Sequence, residues 1–137
     1  MYRLIVAGIV RRAFAAFNRG DAERALARFA DDVHFSFAGE HALSADLRGR
    51  DQARGWFARL FTLLPSLRFT VHDVVVRGWP WNTVVMTRFS DVSLLDGAPF
   101  ENQGTQFLRL RWGRVVEDHI LVDTQKLANK LPSDRLR

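Results

Sequence analysis

Two polar side chains fall where a strand ordinarily buries carbon. In the stretch RVVEDHILVDTQKL (114–127), Asp118 shares its side-chain parity with Val116, Ile120 and Val122. In the strand before it, 100–112, Gln106, Gly104 and Asn102 share a parity with Leu108 and Leu110, while Arg109 and Arg111 take the other with Phe107. Two arginines do not face a core, so Gln106 and Asn102 point inward. A tight connection at Gly113 and Arg114 folds the two strands into a hairpin and brings Asp118 and Gln106 within reach of each other. A carboxylate on an apolar face is costly when ionised. It finds partners, lines a wet cavity, or keeps its proton to higher pH. Each suits a general acid or base, and an amide beside it can orient or polarise a carbonyl. The structural alternative is an ion pair with an arginine, Arg88 being one candidate, or a cap on a buried amide.

The remaining candidates are weaker. On strand 83–94, Met86, Arg88, Ser90 and Val92 oppose Val85, Thr87, Phe89 and Asp91, so either Arg88 or Asp91 faces the interior. Parity places His34, His72 and His119 outward. Trp56 belongs to the apolar face of a helix, and Phe17 and Phe37 either line a cavity or fill it. Asp123 reads as the N-cap of a short last helix with Leu127 and Leu131 on its apolar side. No pair of histidines has metal-ligand spacing, no glycine-rich phosphate loop occurs, and no Ser-His-Asp set can be assembled. No metal and no cofactor is implied.

The elements that position these residues are legible from period. Val6, Val10, Ala13, Phe14 and Phe17 recur at helical spacing over 4–18. Gly20 suits the end of that helix and Asp21 the N-cap of a short second one, with Ala22, Ala25, Leu26 and Phe29 on its apolar side and its end near ADD (30–32). VHFSF (33–37) alternates as a short strand, and a loop with two glycines, AGEHALSADLRG, follows. Residues 51–64 return to helical spacing, and Pro65 stops them. Then the period becomes two: strands at 67–77, 83–94, 100–112 and 115–122 are separated by GWPWN, DGAP and a tight turn. Helices first and antiparallel strands afterwards predict an α+β fold, a sheet with helices on one face.

The chain of 137 residues fits one domain, 1–137, with 47% hydrophobic and 26% charged residues. It has no cysteine, hence no disulfide framework. The net charge of +5 comes from 20 basic residues scattered from Arg3 to Arg137 among 15 acids. A nucleic-acid footprint would be clustered, so none is expected. The apolar run Leu4 to Val10 is too short to span a bilayer and reads as the first helix, which predicts a cytoplasmic protein with no membrane partner.

FNRGDAERALARFADDVHFSF (17–37), LRGRDQARGWFARLF (47–61), LRFTVHDVVVRG (67–78) and LRLRWGRVVEDHILVDTQKL (108–127) together resemble the nuclear transport factor 2-like superfamily. The group includes ketosteroid isomerases, limonene epoxide hydrolases and SnoaL-like polyketide cyclases. GEHALSADLRG with the closing DTQKL is most similar to the SnoaL-like branch. The resemblance implies a cystatin-like cone: a strongly curved antiparallel sheet wrapped around three N-terminal helices, with an internal cavity and a homodimer joined through the sheet's outer face. It places His41 near the cavity mouth. The isomerase's oxyanion-hole tyrosine falls on Ala13, its general-base aspartate on Phe37 and its second oxyanion-hole acid near Gln106. The epoxide hydrolase's last-strand acid falls near Ile120. Steroid isomerisation by the isomerase mechanism is therefore not expected. A single acid, Asp118, remains for proton transfer on a small apolar or aromatic molecule. The expected catalytic pair is Asp118 and Gln106, and the expected ligand-binding residues are Asn102, Arg88, His41, Trp56, Phe37 and Phe17. A non-catalytic ligand-binding or dimerisation module is the competing expectation.

Overall fold

The computed structural model describes residues 1–133. Helix α1 (Tyr2–Phe17) buries Val6, Val10, Phe14 and Phe17, the stripe that its spacing foretold. Its C-terminus is tied to the sheet by Asn18, whose amide donates to Phe69 O at 3.0 Å and accepts from Phe69 N at 2.7 Å. The second helix is shorter than expected, a single turn, α2 (Glu23–Leu26); Phe29, expected on it, instead opens β1 (Phe29–Phe37), which starts four residues before the alternating stretch. The glycine-flanked segment read as a loop contains a short strand, β2 (Ala45–Arg48), which pairs antiparallel with β1. Helix α3 (Arg50–Leu63) follows, then β3 (Arg68–Trp79), β4 (Asn82–Leu95), β5 (Ala98–Arg111), β6 (Arg114–Val122) and α4 (Thr124–Lys130). Asp123 caps α4, accepting from Lys126 N at 3.1 Å, and Leu127 and Leu131 are buried.

The six strands form one open sheet in the order β2-β1-β6-β5-β4-β3. The expected all-antiparallel sheet needs one correction: β1 runs parallel to β6. The chain leaves β1 for α3 and the β3–β6 meander, then returns beside β1 in the same direction. A second correction concerns β6. A bulge shifts the register between Arg109 and Leu110 on β5, so Leu110 faces Val115 and Val116 is the extra residue. The inward row is thus Val115, Asp118, Ile120 and Val122, with Val116 displaced from it. At Gly104 β5 lies so close to β6 that a Cβ would collide with the Leu121 carbonyl. No helix of the described residues is long and apolar enough to cross a membrane.

Candidate functional site

The interior is built from aromatic rings. Phe14 and Phe17 of α1, Trp56 and Phe57 of α3, Phe37 of β1 and Phe69, Phe89 and Phe100 of the meander enclose a narrow apolar cleft. Phe17 stacks on Phe57 at 5.2 Å between centroids, and Trp56 packs against Phe37 at 5.2 Å and Phe35 at 4.7 Å. Trp56 is fixed by its indole N–H, which donates to Leu43 O at 2.8 Å. The cleft has a volume of about 60 Å³, room for about two water molecules. The phenylalanines therefore fill most of the cone.

At the inner end lies Gln106. Its amide donates to Asp118 Oδ1 at 3.0 Å, so the hairpin register delivers the pair. Asp118 is 2% exposed. No arginine pairs with it among the described residues, which leaves burial as the dominant influence. Burial pushes its carboxyl up to about 7, against a smaller downward pull from the Gln106 hydrogen bond. Asp118 does not line the aromatic cleft. It lies behind Gln106, on a second small cavity of about 50 Å³ that it shares with Ala13, Arg28 and Phe29. Phe14, Phe17 and Gln106 line both spaces and form the partition between them.

The question left open on β4 resolves in favour of Asp91. Asp91 lines the cleft and stands opposite Asn102 across β4 and β5. Burial raises its carboxyl to about 6, with Lys126 pulling the other way. Asp91 and Asn102 also border a polar vestibule of about 510 Å³ with Arg68, Glu101 and Lys126. The Asn102 amide is engaged, donating to Asp123 O at 3.3 Å and accepting from Gln103 N at 2.8 Å.

Phe17, Phe37, Trp56, Asn102 and Gln106 thus line one cleft, and Asp118 sits one side chain behind it. Two expected ligand contacts lie elsewhere. Arg88 projects from the outer face and donates to Asp73 Oδ2 at 2.8 Å, because β4 turns Thr87 and Phe89 inward. His41 is 3% exposed but does not border the cleft. Its Nδ1 accepts from Leu43 N at 3.1 Å, which makes Nε2 the protonated nitrogen donating to Ala38 O at 2.8 Å. Both nitrogens hold the loop, and burial lowers the histidine's pKa. Sequence reading missed Thr87, directly opposite Gln106, whose buried hydroxyl has no hydrogen-bond partner among the described residues. A threonine on an inward row looks like any β-branched filler, so no signal marked it.

The family model for the SnoaL-like domain matches residues 10–118. The chain belongs to the SnoaL-like domain family. No curated protein matches the sequence, but solved structures share the SnoaL-like fold. Bal32a, from a soil-derived mobile gene cassette, is 19% identical over 91% of this chain and 95% of its own, with a TM-score of 0.76. A putative polyketide cyclase from Xanthomonas campestris pv. campestris is 20% identical over 95% and 98%, at 0.70. TerC, co-crystallised with polyporic acid, is 17% identical over 90% and 95%, at 0.73. At these identities the likeness is one of fold.

Proposed function

We propose that this SnoaL-like chain binds a small apolar or aromatic molecule in the aromatic cleft and moves a proton on it with Asp118. The observation that carries the reading is a buried carboxyl raised to about 7, held by a single amide at the edge of an apolar interior. A cleft of about 60 Å³ is far below the roughly 300 Å³ that ligand pockets need. Binding must open it, and the partition of Phe14, Phe17 and Gln106 is where the two cavities merge. Once Gln106 swings aside, Asp118 faces the ligand, and the freed amide can donate to a ligand carbonyl. Near neutral pH the carboxyl exists in both protonation states, which suits it to take and return a proton. The putative polyketide cyclase among the structural neighbours names a ring-forming reaction class to try first.

Asp91 supports a second reading, because it reaches the cleft without any rearrangement. 5-Nitrobenzisoxazole separates the two. Its ring opening needs only a desolvated base and reports proton abstraction by absorbance. The expected rate rises with pH through about 7 and falls at least ~100-fold in Asp118→Asn, the usual scale of general-base catalysis. A midpoint near 6 that vanishes in Asp91→Asn assigns the base to Asp91 instead. Thermal stabilisation by polyporic acid with no proton transfer in any variant supports a non-catalytic binding module.

The same proposal includes a homodimer. Val75, Met86, Phe107 and His119 lie side by side across β3, β4, β5 and β6 on the outer face, and Val75, Met86 and Leu121 are exposed there. Trp79, Trp81 and Trp112 add an exposed aromatic cluster at the strand turns. Such apolar rows mark contact surfaces. Light scattering at micromolar concentration should return the mass of two chains; the mass of one chain removes the dimer.

A further inference from the structure

On the outer face of the sheet, away from both cavities, three ligand-type side chains converge. The parallel pairing sets His34 beside Glu117 and Ser36 beside His119. Residues 34, 117 and 119 therefore share one face, and a nitrogen or oxygen of each lies within 4.8 Å of the others. The two imidazole rings meet edge to face at 4.8 Å between centroids. Their side chains are only 25%, 35% and 30% exposed, in the order His34, Glu117, His119.

Each of the three has a partner outside the trio on one atom, and His119 and Glu117 also bond each other through their second atoms. Asp46 Oδ1 accepts from His34 Nε2 at 2.6 Å, and the other ring nitrogen of His34 has no hydrogen-bond partner among the described residues. Ser36 Oγ holds His119 Nδ1 at 2.6 Å, and His119 Nε2 turns toward Glu117 Oε1 at 3.2 Å. Arg109 donates to Glu117 Oε2 at 2.8 Å, so Oε1 is the oxygen turned to the histidine. Arg109 is steadied in turn over the Phe107 ring at 5.6 Å. A carboxylate or hydroxyl on the distal nitrogen is the outer support that ligating histidines usually have.

We propose that His34, Glu117 and His119 bind one divalent transition-metal ion per chain, with water completing its coordination. Two imidazoles and one carboxylate suit Zn²⁺ and its neighbours in the first transition row, and do not suit Ca²⁺ or Mg²⁺. Three protein ligands leave coordination positions that this chain does not fill. The site is separate from the cleft: its residues face the opposite side of the sheet from Asp118 and Gln106.

Zn²⁺ titrated into tag-free, chelator-treated protein tests this by calorimetry, with Co²⁺ visible absorption as a direct coordination readout. One ion per chain is expected, with affinity weakened at least ~10-fold in His34→Ala and in His119→Ala. Asp46→Ala, an outer-support change, should weaken it about 10-fold. His72→Ala, on β3 and bonded to Ser90, should leave affinity unchanged. Absence of binding at 100 µM Zn²⁺, full affinity in His34→Ala, or one ion per two chains would each overturn the proposal. Should a variant fail to fold, the wild-type Co²⁺ spectrum decides: an aquo-like spectrum rejects the site, and an intensified nitrogen–oxygen spectrum supports it.

Discussion

Asp118→Asn should raise the thermal midpoint at pH 8 and leave it nearly unchanged at pH 4. The wild-type carboxyl titrates near 7 when folded, against an ordinary value of 3.8. Between those two values the folded chain keeps a proton that the unfolded chain has released. Its stability therefore falls as pH rises across that window and levels off above about 7. The gap of about three pKa units corresponds to an upper bound of about 4 kcal/mol, and relaxation around an ionised Asp118 will reduce it. Asparagine cannot ionise and can still accept from Gln106 through its carbonyl, so it escapes the penalty. Chemical denaturation of both proteins at several pH values measures the difference. A gap independent of pH would mean that Asp118 is not buried in its charged form. Asp91 contributes in the same sense over a window that ends near 6, so Asp91→Asn should show its effect about one pH unit lower. A protein in which removing a carboxylate raises stability carries that group for something other than folding.

Trp56→Ala is the second large effect, an expected loss of about 4 kcal/mol on urea unfolding. Trp56 is 2% exposed and touches Phe35, Phe37 and Phe57. Its removal both forfeits that burial and leaves a hole that the rigid strand β1 cannot close. It also strands the Leu43 carbonyl, which among the described residues accepts only from the indole N–H. Trp56→Phe separates the two costs. It keeps most of the ring volume and loses the hydrogen bond, so about 1–3 kcal/mol is expected. A Trp56→Ala cost under about 1 kcal/mol would contradict the packing. The cleft wall and the fold's core are here the same side chain, which explains why the cleft is narrow: the rings that would contact a ligand also hold α3 against the sheet.

The inward placement of Gln106, Asn102 and Asp118 was legible because β5 and β6 alternate cleanly, and two arginines on the opposite parity fix the sign. The helices were legible for the same reason, and boundaries moved by only a few residues. Strand β4 was not decidable alone, since each parity mixes apolar and charged residues; only its neighbours choose Asp91 over Arg88. The bulge at Val116 is invisible in a run of apolar letters, because an extra valine reads as continued strand. His41 looked available in a glycine-flanked loop, yet backbone groups claim both its nitrogens. Least accessible was the parallel pairing of β1 with β6. Nothing local encodes which strand a chain end returns to, so no spacing rule could bring His34 to Glu117 and His119.

That pairing also governs the order in which the molecule can be assembled. The hydrogen bond from Ser36 to His119 joins residues 83 apart in the chain. Closing a loop of that length costs roughly 4 kcal/mol of chain entropy before any contact repays it. The β3–β6 meander closes through short turns and can form early; β1 must wait for β6 to exist, and the long-range pairing slows the final step. On a ribosome, a nascent chain ending short of residue 114 has its first three helices and three long strands but no partner for the inner edge of β1. His34 would meet Glu117 and His119 only at that last closure, so a bound Co²⁺ ion would report, by its colour, the moment at which folding finishes.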